Sequence, residues 1–257
     1  MLRLSANIST LFTEWPLLAR PAAAAAAGFG AVEIQFPYEV PAQDLAAALG
    51  DAGVACVLIN IPAGNLEAGE LGLAGLPGRE REFAAAVDLA IHYATLLDCP
   101  RVNCLAGHTP AGAARDPCWQ TLVSNVRTAA QHLAEGGLQL LVEPLNPADF
   151  PRFLLSRCEE FDALRGAVDH PNLALQYDIY HRRAAGEDWL EGLTKRLPHI
   201  GHVQFSDYPG RGAPGSGTLD FTAFFALMKR LPYRGWTGCE YRPGGATPDS
   251  LAWRERL

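Results

Sequence analysis

Short apolar runs alternate with longer amphipathic stretches along the whole chain, and this alternation restricts the fold more than any other feature of the sequence. LRLSANIS at 2–9 and AVEIQF at 31–36 are strand-like, and the alanine-rich stretch 16–27 between them predicts a helix stopped by Gly28 and Gly30. AQDLAAALGDAG at 42–53 predicts a helix ending in glycine, and VACVLIN at 54–60 the strand that follows. Helix, glycine, then β-branched strand is the punctuation of crossover units in a parallel sheet. The pattern continues through strands at 101–107, 138–143, 173–178, 199–207 and 236–241, with helices over 79–97, 117–135, 157–168, 187–196 and 220–231. The tail 247–257 predicts a short closing helix. Eight strands and about eight helices in 257 residues match one closed (β/α)₈ barrel spanning 1–257. An open doubly wound sheet is the competing fold. It would need edge strands, whereas the first and last runs are apolar enough to pair with each other, and no GxGxxG follows the first strand.

Composition narrows the function classes. A formal net charge of -7 argues against non-specific nucleic-acid binding, which needs a basic surface. No window reaches the length of apolar residues a membrane span requires, and the N-terminal residues do not read as a signal peptide. The six cysteines lack a CxxC pair, and those at 56, 104 and 239 sit inside apolar runs. They read as reduced core residues of a cytoplasmic protein.

Parallel strands covered on both faces should be almost wholly apolar. Polar residues at their C-terminal ends therefore carry information. Glu143 closes LQLLVE, Asp178 closes LALQYD, Gln204 lies late in HIGHVQF, and Glu240 lies late in WTGCEY. In a barrel these ends share the rim that holds active sites in this architecture. Three carboxylates in one small volume raise one another's pKa, and a divalent cation relieves that repulsion. Three carboxylates and an amide oxygen form an all-oxygen ligand set suited to Mg²⁺ or Mn²⁺. Each acid taken alone is equally readable as a helix cap or the partner of an arginine.

Other side chains fall near the same rim. His181, three residues after Asp178, is placed to reach the pocket from the start of the following loop. His202 shares the strand face of Gln204 one layer deeper, where it can hydrogen-bond a ligand carboxylate or sit as a satisfied core histidine. His108 follows the fourth strand and reads either as a substrate contact or as a surface residue. Arg211, in the loop PGRGAPGSG, is placed to meet a substrate carboxylate, and Arg79 opens a helix after a similar glycine-rich loop. Glu33 and Asn60 are candidates for the pocket wall. Trp119, Trp189 and Trp253 are candidates for a helix-face contact between copies of the chain, with core packing as the competing reading.

The segments SANIS near the start, GLPGRE at 75–80, PAG at 110–112, VEPLN at 142–146, QYDIYH at 176–181, GHVQFSDYPGRGAPG at 201–215 and GCEYRPGG at 238–245 closely resemble the hydroxypyruvate isomerase family. That family belongs to the xylose-isomerase-like group of barrels. The resemblance implies that Glu143 and Glu240 transfer protons and also reach a divalent metal, with Asp178 and Gln204 as the other ligands. His181, and more loosely Asp149, match substrate-contact positions of related sugar epimerases. Those relatives commonly carry histidine where this sequence has Gln204. The resemblance further implies a small anionic hydroxy-oxo acid substrate, Mg²⁺ or Mn²⁺, and no nucleotide or redox cofactor. A close branch of the family acts on four-carbon 2-oxo-tetronates. A sugar isomerase or epimerase on the same barrel would share the metal site without needing Arg211. A metal-dependent endonuclease would favour a histidine-rich zinc site and a basic rim. A non-catalytic binding barrel would leave the clustered acids without a purpose.

Overall fold

The computed structural model describes residues 2–256, and Leu257 at the end of the expected closing helix lies outside them. Eight parallel strands close into a barrel in the order of the chain. They are β1 Leu4–Asn7, β2 Ala31–Ile34, β3 Ala55–Asn60, β4 Arg101–Cys104, β5 Gln139–Val142, β6 Leu173–Asp178, β7 Ile200–Phe205 and β8 Thr237–Cys239. The ring is sealed by β1 on β8, with Leu4 opposite Thr237 and Ala6 opposite Cys239. The open-sheet alternative is thereby excluded. The outer layer consists of α1 Arg20–Ala26, α2 Ala42–Ala52, α3 Glu80–Leu96, α4 Arg115–Glu135, α5 Cys158–Val168, α6 Ile179–Ala184, α7 Trp189–Arg196 and α8 Phe221–Arg230. Residues 247–256 form 3₁₀ turns rather than an α-helix.

Local chemistry accounts for most of these boundaries. Pro21, at the start of α1, has no N–H to leave unpaired there, so the regular helix starts late and a 3₁₀ turn over Leu17–Ala19 precedes it. Gly53 ends α2 at φ 66°, a left-handed conformation that costs glycine little. Asp188 and Asp220 cap α7 and α8 by accepting backbone N–H bonds. Several strands end one or two residues earlier than the apolar runs predict. Glu143 and Glu240 each stand one residue beyond the last ladder position, which frees them to turn across the barrel mouth.

The largest departure lies after β6. The sequence reads as a loop there, but Asp178 ends the strand and caps α6 at once, accepting from the Tyr180 N–H at 2.9 Å. His181 therefore sits on a helix and not in a loop. Trp253 is buried, stacked on Phe225 and edge-on to Phe205, so it belongs to the core and not to a surface contact. Trp119 and Trp189 are half-buried, the first under Arg115 and the second against Phe224. All six cysteines are buried and unpaired. Among the described residues no helix is long and apolar enough to cross a membrane.

Candidate active site

The register brings the strand-end residues together. Asp178 on β6 lies opposite Gln204 on β7, and Gln204 opposite Gly238 on β8, two residues before Glu240. Side chains alternate along a strand, so Gln176, Asp178, His202, Gln204 and Gly238 share the inward phase. Inside β8, Gly238 has a structural reason to be glycine. A Cβ there would collide with the Glu33 carboxylate, which fills the space instead.

Glu143, Asp178 and His181 are buried, with ligand atoms all within 4.8 Å of one another. His181 Nε2 lies 3.7 Å from Asp178 Oδ2 and 3.9 Å from Glu143 Oε1. Glu143 Oε2 accepts from Gln176 Nε2 at 2.9 Å and from Asn103 Nδ2 at 3.3 Å. Glu240 is more heavily bonded. Its Oε1 accepts from Arg211 Nη2 at 2.6 Å and Gln35 Nε2 at 3.1 Å. Its Oε2 accepts from Gln204 Nε2 at 2.7 Å and Asn7 Nδ2 at 3.1 Å. Arg211 also lies 3.4 Å from Asp178 Oδ2 and over the Tyr180 ring at 5.0 Å. The expected cation thus already stands among the acids.

The Gln204 amide nitrogen has two partners, since Nε2 donates to Glu33 Oε2 at 2.7 Å as well as to Glu240. Two carboxylate acceptors fix the amide orientation. Its Oε1 accepts from Gln176 Nε2 at 2.6 Å. His202 points inward as the alternation predicts, but its partner is Glu33 Oε1 at 2.8 Å and not one of the four strand-end residues. Glu33 also accepts from Ser5 Oγ at 2.5 Å, so a second buried carboxylate layer lies beneath the first. Between the layers, Asn7, Glu33, Asn60, Glu143, Gln204 and Glu240 line a cavity of about 10 Å³, the size of one water.

The remaining candidates sit farther out. Asp149 is exposed and accepts from Tyr180 Oη at 2.8 Å and Asn146 Nδ2 at 3.0 Å. His108 bridges to Phe153, with ring centroids 5.7 Å apart, and burial and Arg152 lower its pKa. Arg79 does not serve the pocket. It clamps Glu70 and Glu82 at the surface. Sequence reasoning missed Asn7, Gln35, Asn103 and Gln176, although polar residues within doubly covered strands are the same signal that exposed the four strand-end residues. It also missed Asn146, which contacts His181.

Electrostatics test whether these residues suit a metal. Burial, then the charges of Glu240 and Asp178, push the Glu143 carboxyl well up. Burial raises Asp178, with Arg211 opposing. Burial also raises Glu240 to about 7, again with Arg211 opposing. Burial works against the Arg211 charge, but Glu240, Asp178 and Glu143 more than offset it. His181 is pushed well down by burial and by Arg211 and Arg182, so it is neutral at physiological pH. One arginine facing three buried acids leaves an excess of negative charge that a dication would neutralise. The cluster fits a divalent metal on that ground and on its oxygen-rich donors.

The family profile described as a xylose isomerase-like TIM barrel matches residues 21–257. The chain is 41% identical over 255 residues to hydroxypyruvate isomerase of Escherichia coli, covering 99% of each. It is 38% identical to 2-oxo-tetronate isomerase of Pectobacterium atrosepticum, covering 99% of this chain and 97% of the other. A crystal structure from Brucella melitensis named as an AP endonuclease of family 2 superposes with a TM-score of 0.96 at 40% identity, covering 100% of this chain and 99% of that one. Barrel, buried acid cluster and relatives agree on an isomerase or epimerase that works with a divalent metal on a small sugar-like or hydroxy-acid-like substrate. The chain belongs to the xylose-isomerase-like TIM-barrel family, among the relatives of hydroxypyruvate isomerase and 2-oxo-tetronate isomerase.

Proposed function

We propose that this chain, as one catalytic domain over 1–257, interconverts hydroxypyruvate and 2-hydroxy-3-oxopropanoate. The observation that carries the reading is Arg211, held by Glu240 and Asp178 within the acid cluster, where it can meet a substrate carboxylate. A substrate carboxylate would add a further charge-assisted acceptor to that half-buried guanidinium, which a neutral sugar would not. Glu143, Asp178, Gln204 and Glu240 would hold Mg²⁺ or Mn²⁺, which supplies Lewis-acid polarisation of a carbonyl and acidifies the neighbouring C–H.

The chain's own residues do the rest. One glutamate of the pair Glu143 and Glu240 removes a proton from C3, and the other delivers one to C2. A proton also passes from the C3 hydroxyl to the C2 oxygen, so hydrogen is conserved and no redox cofactor is needed. Raised carboxyl pKa values bring both glutamates towards the range in which proton transfer works in both directions. His181 orients a substrate oxygen from the helix after β6, and Arg211 the carboxylate from the loop after β7. His108 and Asp149 stand farther out, where they would meet only the outer end of a bound substrate, and His202 supports the site from below through Glu33.

The test is isomerisation after chelation and readdition of Mg²⁺ or Mn²⁺, with hydroxypyruvate compared against 2-oxo-tetronates. Metal-restored turnover favouring hydroxypyruvate supports the proposal. A preference for the four-carbon acids keeps the site and replaces the substrate, the second reading that the 2-oxo-tetronate isomerase likeness favours. Turnover that survives chelation overturns the metal's part in it.

A further inference from the structure

His181 has two faces, and the structure treats them differently. Its Nδ1 is met by the backbone N–H of Asn146 at 3.2 Å and by Asn146 Nδ2 at 2.9 Å. The orientation of that amide is fixed independently, because Asn146 Oδ1 accepts from the N–H groups of Ala148 at 3.1 Å and Asp149 at 2.9 Å. The other hydrogen of Nδ2 goes to Asp149 Oδ2 at 3.0 Å. Both groups facing Nδ1 are therefore donors. A ring nitrogen met only by donors must offer its lone pair, and a neutral imidazole then carries its proton on the other nitrogen. That nitrogen, Nε2, faces Asp178 and Glu143 from 3.7 and 3.9 Å, beyond direct hydrogen bonding to either.

A metal-bound histidine shows the opposite arrangement. Its ligating nitrogen presents the lone pair, and its other N–H donates to a carboxylate or carbonyl. We propose that Asn146 is a positioning residue that holds His181 in the Nε2–H form. This keeps His181 out of the metal's ligand set and makes it a hydrogen-bond donor facing the reacting carbons. The clustering of Glu143, Asp178 and His181 by distance alone would otherwise recommend the ring as a third ligand. Its proton-bearing nitrogen forbids that. The metal then rests on oxygen donors, which favour Mg²⁺ or Mn²⁺ over Zn²⁺. The substrate-facing half of this inference rests on the isomerase reading given above, and the metal-excluding half does not.

Nitrogen-15 NMR of the histidine-labelled full chain, with and without saturating Mg²⁺, reads the ring form directly. The expected spectrum for His181 shows an unprotonated Nδ1 and a protonated Nε2 in both states. A protonated Nδ1, or loss of the Nε2 proton when Mg²⁺ is added, overturns the proposal. Asn146→Asp places an acceptor where Nδ2 stood and should move the proton towards Nδ1, exposing the Nε2 lone pair. Calorimetry should then show affinity for Zn²⁺ rising relative to Mg²⁺ by about 10-fold, with Asn146→Ser showing no such gain. Unchanged selectivity and unchanged ring form in a folded Asn146→Asp protein would remove Asn146 from the role. Neither measurement uses a substrate, so a wrong substrate assignment leaves both results interpretable, and the wild-type spectrum stands even where a variant fails to fold.

Discussion

Glu143 and Glu240 face each other across the same barrel mouth, yet their surroundings differ sharply. Glu143 accepts two neutral amide N–H bonds, from Asn103 and Gln176, and has a neutral histidine nearby. Glu240 accepts four bonds, one of them from the Arg211 guanidinium. Both carboxyls are raised by burial, but Arg211 opposes that rise more directly at Glu240. Two residues that look interchangeable at the ends of apolar runs thus occupy a neutral half and a cationic half of the site. The amides of Gln204 and Gln176 join the halves in a chain from Glu240 to Glu143. In the proposed mechanism one carboxyl takes a proton while the other gives one, and the two differ in surroundings before any substrate arrives.

The most severe way to test the comparison is to neutralise each half. Glu143→Gln and Glu240→Gln should each lower kcat by roughly 10² to 10⁴-fold, the usual size of a lost general acid or base. Steady-state turnover at matched metal occupancy is the measurement. A Glu143→Gln protein with full turnover would end the role assigned to that residue and leave the cationic half to act alone.

The acid cluster was legible because doubly covered parallel strands leave polar residues conspicuous, and Glu143, Asp178, Gln204 and Glu240 end or nearly end such runs. Closure was legible in the matched apolar character of the first and last runs. The supporting amides were harder to see, because Asn7, Asn103 and Gln176 lie within strands, and only the register shows which acid each one meets. Helix α6 escaped notice because Asp178 ends a strand and caps a helix with no residue between, so no turn signal separates the two. Arg79 resembled Arg211 by its glycine-rich neighbourhood. What separates them is Glu70 and Glu82, which hold Arg79 at the surface, a contact that hydrophobic spacing cannot reveal.

The metal-free protein should show the asymmetry in its stability. Glu240 titrates at about 7 in the fold against a usual 4.5, so the folded state binds the extra proton. Stability linked to this group is fully present below 4.5 and is lost as pH rises through about 7. The Tm of chelated protein should therefore fall across that window, and the gain in Tm on adding Mg²⁺ should widen over the same range. A gain independent of pH would show that the raised carboxyl is not what the metal relieves.

A smaller effect is expected from cutting the amide chain between the halves. Gln176→Met keeps volume but removes the N–H groups that reach Glu143 and Gln204. Metal affinity read by calorimetry should fall by about 10-fold, the lower end for residues that support metal ligands. Asn7→Ala removes one of four donors to Glu240 and should cost less.

The sharpest test of the cationic half is Arg211→Lys. Lysine keeps the charge, so Glu240 and Asp178 retain a cation and the pH dependence of stability should barely move. It loses the planar fork that can bind a carboxylate through two parallel N–H bonds. KM for a hydroxy-oxo acid should therefore rise by about 10-fold, the worth of one charge-assisted hydrogen bond, while kcat changes less. The comparison substrate is a neutral ketose, whose KM, if it is turned over at all, should not respond to this change. An equal rise for acid and sugar would mean that Arg211 serves only to balance Glu240 and Asp178, and the reason for preferring an anionic substrate would be lost.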